Sequence, residues 1–381
     1  MNSLASDHGN ERSLFTALTG RYFVNPAFDY LLIAGGLSLV VAAAAYLFDV
    51  QYRIADEFGR PTARFWYLVA LANSAHFGAS TVRLYSKPGA TRSLPLLSWG
   101  LPVVALGLLV LCMNWPESWG SNLTSLYLTW SPYHYAAQAY GLAVMYSYRS
   151  GCLLGAGNKT MLWWVAMIPC FFNILIVKNA GLDWIIGGFV FLLHQIGFPV
   201  VEHFSLSEQF TLTAVRTIQV VASIGGMSAI AYLMWRVSRS REGAMPLIVA
   251  VLLFINGVWW FVLAQQPLQA FLWASVFHSV QYMAIVIIFH VKDQVPDNET
   301  SLGSVFFHIV WFYTASAMLG WALFQWLPYV YMCAGFNMAV SFAMVTAAIN
   351  LHHFIVDGYI WRLKKSDSNR QIVDAGSVVP G

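Results

Sequence analysis

Charge is scarce in this chain: Asp, Glu, Lys and Arg make up 10% of its 381 residues, where soluble domains carry ~25%. That scarcity excludes a water-soluble fold. The four cysteines, Cys112, Cys152, Cys170 and Cys333, form no CxxC pair and sit mostly in apolar runs, which argues against a disulfide framework or a structural zinc site. The net charge of +3 is small and scattered, with no basic run interleaved with aromatics, so nucleic acid is not an expected partner. The first 25 residues are polar and lack the short apolar core and small-residue cleavage site of a secretory signal, so the first span is expected to stay attached. What the chain has in abundance is apolar and aromatic surface: 58% hydrophobic residues, with 16 Trp, 18 Tyr and 26 Phe. Such numbers suit a protein whose solvent is lipid, where Trp and Tyr belt both interfaces.

The apolar surface comes in pieces of membrane-spanning length. Windows without Asp, Glu, Lys or Arg, close to the ~20 residues that cross hydrocarbon at 1.5 Å rise, run over 30–48, 65–82, 94–113, 123–146, 161–177, 184–201 and 217–235. The uncharged stretch 243–291 is too long for one span and is expected to break at Gln265, Gln266 and Pro267; 304–356 is expected to break at Leu327 and Pro328. These eleven or so segments predict an all-α polytopic membrane bundle of about ten to twelve crossings. One transmembrane domain, 26–362, would lie between a polar segment, 1–25, and a polar tail, 363–381. Pro169, Gly197 and Pro199 mark the fifth and sixth windows as kinked or re-entrant. Cytoplasmic loops carry the excess of Lys and Arg. The loop with Arg236, Arg239 and Arg241, the loop with Lys292, and the tail with Arg362, Lys364 and Lys365 therefore place the C-terminus in the cytoplasm, in an inner-type membrane. The loop with Arg53, Arg60 and Arg64 runs against that assignment.

Ionisable groups at membrane depth are costly and mark pathways, pairs or sites. Here the buried polarity is histidine. Of ten histidines only His8 is clearly outside the apolar windows; His76, His134, His194, His203, His278, His290, His308, His352 and His353 lie within them or at their ends. Neutral imidazole is cheaper to bury than a carboxylate or ammonium and is the commonest metal ligand. Many histidines beside few acids fit a metal site better than a proton wire.

The local patterns sharpen this. In Asn350-Leu351-His352-His353-Phe354-Ile355-Val356-Asp357, a helix turns only about 40° between His353 and Asp357, so imidazole and carboxylate share a face while His352 points about 100° round. Asp357 would ligate an ion, orient His353 from behind, or pair with Arg362 at the interface. His278 with Gln281 and Tyr282, and His134 with Gln138, place amide or phenol beside imidazole on one face. Such pairs also serve as plain interhelical hydrogen bonds. The run from His194 to His203 adds Glu202 and a helix-breaking Pro199.

The candidate metal ligands are therefore His76, His134, His194, His203, His278, His352, His353 and Asp357. Gln138, Glu202, Gln281 and Tyr282 are supporting or substrate-facing groups. The HxxxH and HxxHH boxes of membrane desaturases and hydroxylases are absent. The His278 to Tyr282 spacing and the His352-His353 pair look like elements of heme-copper oxidases, but their order does not match, and no family is assigned. The expected function is a non-heme iron or copper oxidoreductase acting on a lipophilic substrate from the cytoplasmic half of the bilayer, served by an electron donor. Alternatives are a heme-binding electron-transfer or gas-handling protein, with histidines as axial ligands, and a proton-coupled transporter.

Overall fold

The computed structural model describes residues 20–47, 69–198, 205, 209–240, 242–262, 267–295 and 301–361. Every regular element among them is helical. We number the helices α1 Pro26–Ile33, α2 Gly36–Leu47, α3 (Val69–Ser74 as a π-helical turn continuing as Ala75–Ser86), α4 Leu96–Asn114, α5 Ser121–Arg149, α6 Ala156–Ile176 and α7 Gly181–Gln195. After them come α8 Leu212–Ser238, α9 Leu247–Phe261, α10 Pro267–Gln294, α11 Leu302–Cys333 and α12 Met338–Ile360.

Six of these helices, α4, α6, α8, α10, α11 and α12, contain stretches long and apolar enough to cross a membrane, and α1 with α2, bent by 74°, makes up to seven. The protein is thus a polytopic helical membrane bundle, with fewer helices of that length and composition among the described residues than the ten to twelve crossings expected. The shortfall has local causes. α5 has 29 residues but spreads Ser, Thr, Asn and Gln along its length. α7 and α9 have 15 residues each, about 22 Å at 1.5 Å per residue, against a core of ~30 Å. The fifth window is an unbroken 21-residue helix despite Pro169. The sixth stops short: α7 gives way at Ile196, and Gly197 turns away at φ +82°.

The expected break at Leu327 and Pro328 is not where the chain reverses. A π-helical turn, Ala322–Trp326, puts Pro328 near the start of a fresh helical segment, where its missing N–H costs nothing. The helix runs on to Cys333, and the turn comes at Gly335, φ +95°, with the Asn337 side chain capping α12. Of the other expected break, Gln265 and Gln266 lie outside the described residues, and α10 begins at Pro267.

Four helices matter for the site, and all four run in the same direction. Along α5 and α10, Tyr127 meets Phe271 and Gln138 meets the carbonyl of His278. Along α3 and α10, Asn73 meets Ser275, and Arg83 meets Asp293 at 3.2 Å. Trp130 of α5 lies beside Phe354 of α12, and Phe289 of α10 beside Trp361. A large apolar cluster joins α5, α6, α8, α9 and α10, and a second joins α4, α5 and α12 around Phe77. The shared polar seam lies between them.

α3 is seated by a contact only small residues permit. A Cβ on Gly78 would stand 2.1 Å from the Ser316 carbonyl oxygen of α11, and one on Gly320 would stand 1.9 Å from the Ser74 carbonyl oxygen. Ser74-xxx-Gly78 against Ser316-xxx-Gly320 is the small-residue packing that lets membrane helices approach backbone to backbone. It fixes the depth and rotation of the turn carrying His76 and Ser80.

Candidate metal centre

On α3, residues 73, 76 and 80 fall on one face; on α10 the same is true of 275, 278, 279 and 282, and on α12 of 350, 353 and 357. With α5 contributing residue 134, the four parallel helices aim one imidazole each at a common point. His76, His134, His278 and His353 are all buried, and one ring nitrogen of each lies within 4.8 Å of all the others. Around the ring of four, neighbouring centroids are 4.8 Å (His76 to His278), 4.9 Å (His278 to His134), 4.9 Å (His134 to His353) and 4.3 Å (His353 to His76).

Two of the imidazoles are oriented from behind by serine. Ser279 Oγ donates to the Ser275 carbonyl at 2.7 Å or to Asn73 Oδ1 at 2.9 Å, and lies 3.2 Å from His76 Nδ1. With its single proton used in this way, the hydroxyl accepts from Nδ1–H, which leaves the lone pair of His76 on Nε2. Ser80 Oγ holds His353 in the same way, 2.8 Å from its Nδ1 and 3.3 Å from the Phe77 carbonyl, and either partner can take the hydroxyl proton. Both serines sit at Nδ1, so the Nε2 atoms of His76 and His353 are the ones turned toward the centre. His76 Nε2 and both nitrogens of His278 are buried and have no hydrogen-bond partner, an arrangement rare for native side chains that calls for an explanation. His353 Nε2 lies 3.2 Å from His134 Nε2. Two nitrogens so close share a proton or share a cation.

Asp357 stands beside them. Its Oδ2 is 3.3 Å from His353 Nε2 and 3.8 Å from His134 Nε2, and its Oδ1 accepts from the Tyr282 hydroxyl at 2.8 Å. Other buried carboxylates have structural duties. Asp29 accepts from the Phe23 and Val24 amides and from Tyr146, Asp183 from Asn179 and Ser205, and Asp293 pairs with Arg83 and Lys87. Only the carboxylate of Asp357, among these, is turned toward imidazoles. Arg362, its alternative partner in the sequence, lies outside the described residues.

The other expected members fall elsewhere. His352 is half-buried on the adjoining face of α12, and His194 is exposed at the end of α7, so neither joins the four. The cause is rotation for His352, one residue round the helix, and position for His194, on a short helix packed chiefly on α6 and α5. Glu202 and His203 lie outside the described residues. Gln138 donates to the His278 carbonyl at 3.2 Å and to Gln281 Oε1 at 3.4 Å, so the two amides tie α5 to α10 and do not face the imidazoles. Tyr282 reaches the centre through Asp357, with its ring 4.5 Å from that of His76.

Sequence reasoning missed Ser80, Ser279 and Asn73. Ser80 is four residues from His76, a spacing that could have flagged it. No family model, curated protein or solved structure matches this chain. Its chemistry has to be read from the site.

A cavity of about 620 Å³ adjoins the centre, bordered by α5, α10 and α12 and lined in part by His134, Asp357 and Tyr282.

Proposed function

We propose that this protein is a membrane metalloenzyme that holds one transition metal through His76, His134, His278 and His353, with Asp357 as a fifth donor. The observation that carries this reading is the set of four buried imidazoles from four helices, two of which, His76 and His278, have ring nitrogens without a hydrogen-bond partner. At metal–nitrogen distances of about 2.0–2.1 Å, neighbouring donors lie roughly 2.9–3.4 Å apart, which the 3.2 Å between His353 and His134 already matches. The wider pairs, up to 4.8 Å apart, would have to close in on a bound ion. Nitrogen donors with one carboxylate suit iron or copper and disfavour magnesium, which takes oxygen ligands. Asp357 at Nε2, with Ser80 at Nδ1, fits a direct ligand better than an orienting partner of His353.

We infer an oxidoreductase role, with iron as the first choice of metal; a nitrogen-rich donor set that accepts redox-active metals, beside a largely apolar cavity, supports that reading. A lipophilic substrate and an electron donor complete the reading. Arg83, Lys87, Arg149 and Lys292 all stand at the C-terminal ends of site helices, so the positive-inside rule turns those ends, and the C-terminus, to the cytoplasm. Heme fits less well: imidazoles packed at 4.3–4.9 Å between centroids leave no slot for a macrocycle between an axial pair. The test is elemental analysis and a visible spectrum of detergent-purified protein. About one iron or copper per chain without a Soret band supports the proposal; a Soret band, or no metal after expression in metal-replete medium, overturns it.

A further inference from the structure

The cavity beside the centre has a shape that narrows the substrate. Its wall on α5 is built from Trp130, His134, Gln138, Gly141, Leu142 and Met145, among others, a spacing of three and four residues that makes one continuous helix face. From 130 to 145 that face is about 22 Å long at 1.5 Å per residue. The opposite wall is the last two turns of α12, from Phe354 to Trp361, and the floor carries Tyr282 and Ile285. The space is thus a trough rather than a ball, and at about 620 Å³ it falls within the ~300–1,000 Å³ typical of small-molecule sites.

Its chemistry is as one-sided as its shape. Polar groups converge at one place, where His134 and Asp357 reach the wall; Gln138 is occupied with the His278 carbonyl and Gln281. Beyond that point the lining is aromatic, aliphatic or glycine. At the rim, Tyr133, Gly358 and Tyr359 are exposed, so the trough opens sideways between α5 and α12, on a helical bundle whose outer faces are apolar.

We propose that this trough binds one elongated, largely apolar molecule, an acyl or other hydrocarbon chain, drawn from the bilayer between α5 and α12. The part of the chain nearest the centre would rest against His134 and Asp357, about one turn from the Trp130 end of the trough, toward one end of the bound molecule. This rests on the metal reading for its chemistry but not for its binding, so the two can fail separately.

Two glycines make the trough testable. A Cβ on Gly141 or on Gly358 would meet nothing within 4 Å, and both glycines line the cavity, so a side chain added there can start without a clash and grow into the trough. Gly225, on the exposed face of α8, is equally open and serves as the control. The probe is a diazirine-bearing stearic acid in nanodiscs, photolysed and mapped by mass spectrometry, with unlabelled stearic acid as competitor and metal content measured on the same samples. Expected are saturable, competable labels on α5 and α12, cut about tenfold or more by Gly141→Phe and by Gly358→Phe, an affinity loss of about 1.4 kcal/mol or more, because the ring would occupy the space the chain needs. Gly225→Phe should leave them unchanged, and all variants should keep the metal of the wild type. Labelling that is unsaturable, that maps to other helices, or that survives both fillings overturns the trough. Competable labelling in a protein without metal would instead overturn the proposed function and leave the trough standing.

Discussion

Replacing Asp357 by Asn separates a ligand from a structural partner. The side chain keeps its shape, and its oxygen can still accept from the Tyr282 hydroxyl, now 2.8 Å from Oδ1. What changes is the atom 3.3 Å from His353 Nε2 and 3.8 Å from His134 Nε2: a carboxylate oxygen becomes an NH₂, which offers hydrogens where a lone pair is needed. Loss of an orienting partner alone costs about 10 to 100-fold in metal affinity, or about 1.4–2.7 kcal/mol; loss of a direct anionic ligand should reach or pass the upper figure. The metal-free protein should respond in the opposite sense. A buried carboxylate is dear to desolvate and an amide much less so, so metal-free Asp357→Asn should unfold at or above the temperature of metal-free wild type. The assay is competition with a chelator of known affinity, read by elemental analysis, beside thermal unfolding followed by tryptophan fluorescence. A metal affinity within about threefold of wild type would refute the reasoning, and so would a metal-free variant that melts well below its parent.

Removing the hydroxyl that orients His353, in Ser80→Ala, frees Nδ1 and should weaken metal binding about tenfold with little effect on expression; chelator competition measures it. His352→Ala should leave metal content unchanged, because that imidazole lies on the adjoining face of α12; loss of metal in this variant would count against the four-histidine centre. Gly78→Leu should prevent α3 and α11 from closing, lowering both thermal stability and metal content, since a Cβ alone would stand 2.1 Å from the Ser316 carbonyl oxygen. A normal melting profile for that variant would show the contact to be looser than described.

The helical, membrane-bound character was legible because it depends on composition and window length, which survive any detail of packing. The shared face of His353 and Asp357 was legible for the same reason: four residues on a helix determine it before any neighbour is known. Properties set by the register between helices were hidden. Gln138 looked like a companion of His134 on its own helix, yet its amide is taken by the His278 carbonyl of α10. Ser80 and Ser279 are two of many serines, and only the placement of α3 against α10 and α12 brings them to imidazole Nδ1 atoms. Pro328 misled because a π-helical turn, which no local pattern announces, absorbed it.

The donors of this centre enter the membrane in an order that has consequences for its biogenesis. Residues 76, 134 and 278 are inserted first, and His353 arrives only with α12, together with Asp357. Until that helix docks, the partly built bundle holds three imidazoles and an open wall. On the proposed reading, metal capture waits for α12, and an occupied centre reports that α3, α5, α10 and α12 have come together. A chain stopped before Met338 should insert yet stay metal-free, which elemental analysis of the truncated protein would show. The cell would then have a single chemical signal that distinguishes a finished molecule from an abandoned one.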